Sequence, residues 1–504
     1  MSEKRTDAKA LKLAKQLKNA DNWKHLARWN GEGYYQLQTE DTRDVPVRLF
    51  LTPTLLAEAE DILYRQIVNA TRFPGVKLVV ITPDTHYGYG VPVGCVLITD
   101  VESGAVAMGP VGYDIGCGMM SARSEVAAEE ATPEKKLAFN RAVMQRVAMG
   151  AGGKSHRLGS VTKGEFNNLV RGGAEYYVEK YGAAFDRSRA ERHRIPVDDD
   201  WQIPWGGKGR PERGLDQLGS LGGGNHFIEL QREESLGTLF LQVHTGSRGF
   251  GHGLATNYFE MARAERPDAI TDIDLGYFTP DSLHYKDYLN AVAAGGNYAI
   301  LNRLIIFEQV SQAFAEVFGA ELELIYEISH NLVQREWHPE FGEVWVHRKG
   351  ATRAFPAGHP ALKGTFWEET GHPVLIPGSN KDFSYILRPL AGAERSGFSV
   401  NHGAGRRLSR GAATRELSQR QMDDEYREAG ILVNIDGRVP LDEAAPCYKS
   451  SEEVTRAVTE AGLAEVVHKL WPLASLKGTE EKRSRNKSRN KKGKGPRKKS
   501  SNHF

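Results

Sequence analysis

Five residues with metal-binding side chains lie in the central part of the sequence. Asp114 and Cys117 are three residues apart in the glycine-containing segment GYDIGCG, so both side chains can point at one ion. Neutral imidazoles can come from His226, His244 and His330. This mixed set of soft and hard ligands is too large for a simple tetrahedral site, so it predicts one open site or two adjacent ions. Its residue types fit Zn, Mn, Fe or Co without choosing among them.

Each of these residues also has an ordinary structural explanation when it is taken alone. A single histidine after a strand is most often a hydrogen-bonded core or surface residue. A single cysteine in a glycine turn is most often just a small apolar side chain. The metal hypothesis therefore depends on the whole set, because the structural explanation has to hold separately for every member.

A separate candidate, His402, lies in the segment NHGAGRR, where glycines predict an exposed side chain and Arg406 and Arg407 follow. Such a histidine could act as a nucleophile toward phosphorus, with arginine or backbone donors taking the developing charge. The alternative is an ordinary loop histidine beside a surface basic pair. Two further basic segments, VHRKGATR with His347 and GSRG with Arg248, suit phosphate or RNA backbone, or are solvated surface charge.

The segment AMGAGGKS fits a loose phosphate-binding loop, with Lys154 and Ser155 in the expected places. A true loop of this type follows a strand and opens a helix. Here the preceding residues predict a helix and the following HRLGS does not open one, so we reject this interpretation.

The candidate residues share one sequence pattern, in which an apolar run ends and a polar or metal-capable residue follows among glycines. The pattern occurs at His86, at Asp114 and Cys117, at Asn225 and His226, and at His244, His330, His347, Ser379 and His402. Functional groups concentrate where a rigid strand meets open backbone, and glycines let the main chain approach a ligand. The repeated pattern therefore predicts strand ends that converge on one site.

Periodicity predicts the elements that position these residues. Helices are expected at 8–19, 53–70, 134–149 and 285–318, the last interrupted at Gly295 and Gly296, and strands at Val76–Ile81 and Val91–Ile98. The segment 181–215 is rich in charge, glycine and proline, which predicts a long loop and a candidate lid or substrate edge. No clear linker divides residues 1–478, so we expect one large mixed α/β body.

Composition narrows the class of protein. The chain has 504 residues, of which 40% are apolar and 26% charged, as in an ordinary globular protein with a sizeable core. It has no apolar run of about 18 residues, which predicts no membrane association through a span. A charged N-terminus without an apolar core predicts no secretory signal, and three sparse cysteines favour a reducing compartment, so we expect a cytoplasmic protein.

Charge is distributed unevenly along the chain. Residues 479–504 contain 11 Lys/Arg and 2 Asp/Glu, a net charge of +9. The remaining residues contain 55 Lys/Arg and 62 Asp/Glu, a net charge of −7. We therefore expect one large body at 1–478 and a disordered basic tail at 479–504. The tail could hold nucleic acid electrostatically or be a solubilising extension.

With these segments in view, the chain resembles the RtcB family of RNA-splicing ligases over about residues 45–478. The ordered motifs are PDTHYGYGVPVG, GYDIGCG, LGGGNHFIE, VHTGSRG, SHNLVQREWH, VHRKGATRAF, PVLIPGS, NHGAGRRLSR and LKG. GYDIGCGMM, GPVG and DTHYGYG stand where GFDINCGV, GGVG and DVHWGYG are usual in the family, but the ligand residues are retained. The resemblance implies an α+β fold, a single large mixed domain of the RtcB type with central β-sheets flanked by helices.

The resemblance also implies roles for individual residues. Two manganese ions would be held by Asp114, Cys117, His226, His244 and His330, with the cysteine bridging them. His402 would be the histidine that becomes guanylylated. GTP would be bound by Asn225, His226, Phe227, Ile228, Glu229, His330, Asn331, Pro377, Gly378, Ser379, Asn380, Ser384, His402, Gly403, Ala404, Gly405 and Lys477.

The implied activity is GTP- and manganese-dependent RNA ligation in tRNA splicing or RNA repair. RNA ends with a 2′,3′-cyclic phosphate or 3′-phosphate would be joined to 5′-hydroxyl ends, with an archease-type protein as a candidate activator. Three alternatives stay open. They are a family member that caps 3′-phosphates without efficient sealing, a non-catalytic RNA-binding relative, and a generic metallo-phosphoesterase, which would need neither the histidine of NHGAGRR nor Lys477.

Overall fold

A computed structural model describes residues 17–183 and 194–478. These residues form helices and two large sheets in one mixed body, which confirms the expected α+β class. The predicted tail at 479–504 and residues 8–16 of the first predicted helix lie outside the described residues, and residues 17–19 form turn and bend structure instead of helix. The domain boundary after residue 478 stays a prediction.

The first large sheet has seven strands in the order β1-β2-β3-β4-β5-β13-β12. Its strands are β1 (Arg28–Trp29), β2 (Tyr35–Leu37), β3 (Val47–Leu49), β4 (Val76–His86), β5 (Val93–Asp100), β12 (Asn331–His338) and β13 (Gly342–Lys349). Neighbours run antiparallel except β3 and β4, which run parallel. Both strands predicted from the sequence are present, as β4 and β5.

The second large sheet has the order β11-β7-β9-β8-β19-β16-β15, and β18 pairs with β19 beside this path. Its strands are β7 (Gly118–Ala127), β8 (Phe227–Glu233), β9 (Thr238–Thr245), β11 (Glu323–Ser329), β15 (Val374–Ile376), β16 (Ser384–Pro389), β18 (Leu432–Val433) and β19 (Ala464–Lys477). Two short pairs complete the strands: β6 (Val106–Ala107) with β10 (Tyr277–Phe278), and β14 (Ala351–Arg353) with β17 (Ser399–Asn401).

The helices lie around these sheets. They are α1 (Trp23–Leu26), α2 (Pro53–Glu58), α3 (Leu63–Ala70), α4 (Pro133–Arg146), α5 (Lys163–Tyr181), α6 (Arg248–Glu265), α7 (Tyr285–Phe318), α8 (Arg410–Glu416), α9 (Gln419–Glu428) and α10 (Ser451–Glu460). The prediction of a single helix at 53–70 is wrong. The backbone leaves the helical conformation at Ala59, and this break separates α2 from α3. The helix predicted at 134–149 is confirmed as α4, which ends three residues early.

The long helix α7 has 34 residues, most of them buried, and packs against α4, α5, α6 and the second sheet. The predicted interruption at Gly295 and Gly296 is wrong, because the helix continues through both residues. An interior glycine costs about 1 kcal/mol relative to alanine, so a pair of them needs a packing reason.

That reason is the close approach of the GYDIGCG loop to α7. A Cβ atom placed on Gly295 would lie 2.9 Å from Cγ2 of Ile115, inside van der Waals contact. On the loop side, a Cβ atom on Gly116 would lie 2.8 Å from Cβ of Ala299 and 3.0 Å from Cα of Gly296. Glycines on both surfaces therefore let the loop rest directly on the helix.

The segment 181–215 is only partly described, since residues 184–193 lie outside the described residues. The described part is largely irregular, as predicted, and has a short 3₁₀-helix at Pro211–Asp216. It is anchored, because Trp201 and Ile203 are buried in the hydrophobic core beside α5, α6 and α7. Its proposed role as a lid stays a prediction.

The rejected phosphate-binding loop has the context that the sequence predicted. Residues 148–155 follow helix α4 and not a strand, and the residues after Ser155 form turns before α5 begins. No helix among the described residues is long and apolar enough to cross a membrane.

We expect Gly116→Ala to destabilise the protein more than Gly159→Ala does. Both glycines have positive φ, +76° and +63°, but nothing lies within 4 Å of a Cβ on Gly159. The control therefore measures left-handed backbone strain alone, about 1–2 kcal/mol. Gly116→Ala adds overpacking against α7, about 1–3 kcal/mol more. Chemical denaturation measures both, and equal losses of unfolding free energy would contradict the close-approach explanation.

Candidate active site

A cleft of about 410 Å³ contains most of the residues predicted to do chemistry. Its lining includes Asp114, Cys117, His244, His330 and His402. The first four of these residues lie in strands of the second sheet or in the loops next to them. His402 instead follows β17, which is not a strand of that sheet. The tertiary structure therefore joins both groups of candidates in one place.

Four neighbouring strands of the second sheet, β11, β7, β9 and β8, present the metal-capable residues at one edge. His244 lies near the end of β9 and is paired with Met119 on β7 and Phe227 on β8. Because β7 and β8 run antiparallel to β9, both of these strands begin at the end of the sheet where β9 terminates. Cys117 and His226 consequently precede their strands.

The prediction that each of these residues follows an apolar strand is therefore wrong for Cys117 and His226. The apolar runs before them are not the strands that position them. His347 also departs from the pattern, since it lies inside β13. The prediction holds for His330 and His402, which directly follow β11 and β17.

The metal-capable atoms form two groups that share one sulfur atom. In the first group, Sγ of Cys117 lies 3.3 Å from Nε2 of His244, which lies 3.3 Å from Nε2 of His330. In the second, Sγ lies 3.5 Å from Nε2 of His226, which lies 3.2 Å from Oδ2 of Asp114. Such a donor set fits two ions bridged by a thiolate, with mixed soft and hard ligands.

Backbone carbonyl groups orient two of the imidazoles. Nδ1 of His226 donates to the carbonyl of Leu221 at 3.1 Å, and Nδ1 of His244 donates to the carbonyl of Asn225 at 3.2 Å. A carbonyl only accepts, so Nδ1 carries a proton in both rings, and in the neutral form of each ring Nε2 keeps its lone pair. This outer support fixes the tautomer that a metal ion needs.

Burial sets the charge of these groups. It lowers the pKa of His244 and of His330 well below the usual value, so both imidazoles are neutral. Burial would raise the pKa of Asp114, but its contact with His226 lowers it below the usual value. Burial and the nearby Asp114 raise the pKa of the Cys117 thiol, so thiolate formation requires a bound cation.

His402 is held by a buried carboxylate. Nδ1 of His402 donates to Oδ2 of Asp84 at 2.6 Å, and the backbone N–H groups of His402 and Gly403 donate to the same oxygen at 3.0 and 3.2 Å. The other oxygen accepts from Thr82 at 2.6 Å. Burial would raise the pKa of Asp84, but the charge and hydrogen bond of His402 lower it, so the carboxyl group is ionised.

In the neutral form of the ring, this arrangement leaves Nε2 as the lone-pair nitrogen of His402. The ring stands edge-on against His330, with centroids 4.7 Å apart, so the candidate nucleophile touches the metal-ligand cluster. The side chain of His402 is only 13% exposed. The predicted exposure was therefore wrong, because Asp84 and His330 cover the ring from two sides.

Sequence reasoning missed Asp84, although it lies in the quoted segment PDTHYGYG. A signal was available, since an aspartate at the end of a buried apolar strand is uncommon unless it is paired. His86, which the pattern singled out instead, also lines the cleft and contacts the carbonyl of Asp84 through Nδ1 at 2.9 Å. His347 is structural, since Nδ1 donates to Leu97 and Nε2 accepts from the amide of Ala107.

The residues predicted to bind nucleotide fall into two groups. Those that line the cleft are Asn225, Phe227, His330, Asn331, Pro377, Gly378, Ser379, His402, Gly403, Ala404, Gly405 and Lys477. Of the others, His226 belongs to the second metal-capable group, Glu229, Asn380 and Ser384 are buried, and Ile228 packs into the hydrophobic core. The Oγ atom of Ser384 accepts from the amide of Gly378 at 3.0 Å and so supports the lining from below.

A buried carboxylate organises the basic side of the cleft. Glu443 is paired with Arg406 at 3.2 Å and Arg410 at 3.0 Å, and accepts a hydrogen bond from the hydroxyl of Tyr448. The ammonium group of Lys477 lies 3.7 Å away. Tyr448 and Arg410 could not be assigned from the sequence, because their shared partner, Glu443, lies beside them only in the folded protein.

Comparison with known protein families supports a specific relationship. The family described as "tRNA-splicing ligase RtcB" matches residues 66–478. This range includes every residue named in the two ligand groups and the cleft.

Individual relatives match over most of the chain. A "tRNA-splicing ligase RtcB" of Pyrobaculum aerophilum is 36% identical over 466 residues, covering 86% of this chain and 95% of the relative. That of Thermococcus kodakarensis is 35% identical over 464 residues, with the same coverage. An "RNA-splicing ligase RtcB" of Mycobacterium bovis is 36% identical over 437 residues, covering 82% of this chain and 100% of the relative.

We expect Cys117→Ser to reduce the binding of Co²⁺, used as a spectroscopic probe, because both ligand groups lose their shared sulfur. The thiolate-to-cobalt absorption should disappear in this variant and persist in Cys447→Ser, whose sulfur lies outside both groups. Wild-type affinity should also fall as pH is lowered, because binding displaces the proton of Cys117. An unchanged spectrum in Cys117→Ser would contradict the shared-ligand interpretation.

Proposed function

Because the chain belongs to the RtcB family of RNA-splicing ligases, we propose that it joins RNA 3′-phosphate or 2′,3′-cyclic phosphate ends to 5′-hydroxyl ends, using GTP and manganese. The observation that carries this proposal is the contact between Asp84 and His402 directly beside the two ligand groups. It combines a nucleophile of fixed tautomer with a site for divalent cations.

The first step is guanylylation of His402. Nε2 attacks the α-phosphorus of GTP, the Nε2–P bond forms, and the bond to pyrophosphate breaks. The ring becomes positively charged, and the ionised carboxylate of Asp84, 2.6 Å from Nδ1, stabilises that charge without taking the proton. A phosphoramidate of this kind is readily broken later, as a covalent carrier requires.

Asp114, Cys117, His226, His244 and His330 would hold two Mn²⁺ ions. Bound there, the ions would supply neutralisation of phosphate charge and alignment of the reacting oxygens. The chain's own contribution is a preformed set of donors, in which burial keeps His244 and His330 neutral. Cys117 belongs to both groups and would bridge the ions.

The remaining steps transfer the nucleotide to RNA. Opening of a 2′,3′-cyclic phosphate by water gives a 3′-phosphate, whose oxygen attacks the phosphorus on His402 and breaks the P–N bond. The RNA then ends in a 3′-diphosphate linked to guanosine. The 5′-hydroxyl of a second RNA attacks the 3′-phosphorus, GMP leaves, and a 3′,5′-phosphodiester bond forms.

We assign nucleotide binding to the cleft lining and to the residues behind it. The ammonium group of Lys477 lies 5.3 Å from the ring centroid of Phe227, which places a cation and an aromatic face on one wall. Burial raises the pKa of Glu229, behind this wall, to about 7. In its ionised form Glu229 would accept hydrogen bonds from guanine, and Asn380 and Ser384 would hold the adjacent backbone.

RNA is the proposed macromolecular substrate, in tRNA splicing or RNA repair in the cytoplasm, with an archease-type protein as a proposed activator. The basic groups Arg248, Arg406 and Arg410 around the cleft provide the positive charge that RNA phosphates require. The tail at 479–504 adds a further net charge of +9 outside the described residues.

With Mn²⁺ and α-labelled GTP, we expect the protein to acquire acid-labile, alkali-stable label, and His402→Ala to abolish it. Asp84→Asn should slow labelling by about 10²–10⁴-fold, because an amide can favour the wrong tautomer of the nucleophile. Label is quantified after denaturing electrophoresis.

The matched control for this experiment is His156→Ala, since His156 lies outside the cleft and contacts only the carbonyl of Gln145 among the described hydrogen bonds. Its labelling should equal that of the wild type. Label retained on the His402→Ala protein would show that another residue is the nucleophile and overturn the assignment.

Sealing is tested separately from guanylylation. RNA that carries a 2′,3′-cyclic phosphate and a second RNA with a 5′-hydroxyl should yield a joined product in the presence of GTP and Mn²⁺. Accumulation of a guanosine-capped 3′ end without joined RNA would instead favour an end-capping enzyme. The label is placed on the RNA that carries the 2′,3′-cyclic phosphate, and gel separation then distinguishes the two products.

A further inference from the structure

One arginine side chain lies under the metal-ligand cluster without touching the cleft. Arg303 is in the middle of α7, and its side chain is fully buried. Nη1 donates to the carbonyl of Gly116 at 2.7 Å and to that of Thr245 at 2.9 Å, and Nη2 donates to Oγ of Ser329 at 2.8 Å. Its Nε and Nη2 also contact the carboxylate of Glu327, which balances its charge.

Apart from Glu327, each partner of Arg303 is the immediate chain neighbour of a candidate ligand. Gly116 precedes Cys117, Thr245 follows His244, and Ser329 precedes His330. One guanidinium group therefore joins three chain segments that are more than eighty residues apart from one another in sequence. These three ligands make up the first of the two metal-capable groups.

The residue beside it extends the same support. Oδ1 of Asn302 accepts from the amide of Gly219 at 2.6 Å, and Nδ2 donates to the carbonyl of Gly246 at 3.1 Å. The first contact holds the segment that leads to His226, and the second holds the turn after His244. The centre of α7 therefore underlies the ligand turns of four strands.

Stability alone is a poor explanation for this ion pair. Removing two charges from water costs several kcal/mol per ion, so a buried pair is often no more stable than apolar residues of similar volume. A planar guanidinium group with five donors in fixed directions does, however, set the relative positions of several acceptors. Lysine carries the same charge but lacks this fork.

We propose that Arg303 is a positioning residue that holds the turns of Cys117, His244 and His330 at the spacing that two bridged ions require. The inference rests on the proposed function, in that it assumes divalent cations bind these ligands. Arg303 acts through the ligand backbones and does not touch substrate or metal. Loss of its fork loosens the ligand spacing, and the predicted effect is therefore on metal affinity first.

The test uses Co²⁺ alone as the probe, with the full-length protein, and needs no activity measurement. Arg303→Lys keeps the charge opposite Glu327, and the double variant Arg303→Met/Glu327→Met removes both charges, so neither leaves an unpaired buried ion. For both variants we expect the dissociation constant to rise about 10- to 100-fold, the usual effect of losing an outer support of a metal ligand. The cobalt absorption should also lose intensity.

The double variant Arg348→Met/Glu336→Met is the matched control. Arg348 also forms a buried ion pair, with Glu336 at 2.6 Å, and donates to Ser399, but it lies on β13 of the first sheet and contacts none of the ligand turns. It should lose stability yet keep the wild-type affinity for Co²⁺. Denaturation midpoints measured on all variants separate a loss of fold from a loss of metal binding.

The outcomes are distinguishable. Wild-type affinity and spectrum in both Arg303 variants would overturn the inference while leaving the proposed function intact. Equal loss of affinity in Arg348→Met/Glu336→Met would also overturn it, because the effect would then be one of general stability. Failure of the wild-type protein to bind Co²⁺ or Mn²⁺ at all would instead contradict the metal site of the proposed function.

Discussion

The site depends on one geometric constraint, the meeting of four antiparallel strand ends at one edge of the second sheet. Neighbouring antiparallel strands begin and terminate alternately at one end of a sheet. Cys117 and His226 therefore directly precede their strands at the same end where the strands of His244 and His330 terminate. This brings five donor groups close together, and burial keeps the imidazoles of His244 and His330 neutral. A cation bound there would satisfy donors that are otherwise costly to bury close together.

The second part of the site comes from the other half of the molecule. His402 follows β17, and its partner Asp84 belongs to β4 of the first sheet, so the ring of the candidate nucleophile is held by a residue outside the ligand cluster. The two halves meet where the ring of His402 contacts His330. Residues of both parts line the same cleft.

Helix α7 connects the fold to the chemistry. Its paired glycines accept the GYDIGCG loop at van der Waals distance, and about two turns further along Asn302 and Arg303 hold the neighbouring turns. In the sequence these glycines predicted a break in the helix, because propensity counts only the local cost of glycine. The packing of the loop offsets that cost, and a local rule has no access to it.

Much of the site could be predicted from the sequence alone. The ligand residue types, the glycine turns and the ordered family motifs are local features, so Asp114, Cys117, the histidines and the mixed α+β class were recognisable. Pairing between distant segments was not. Asp84 and His402 are 318 residues apart, and Glu443 meets Arg410 and Tyr448 only after folding. Strand direction, burial and the shared partners of charged groups arise from long-range contacts, and for that physical reason only the tertiary structure decided them.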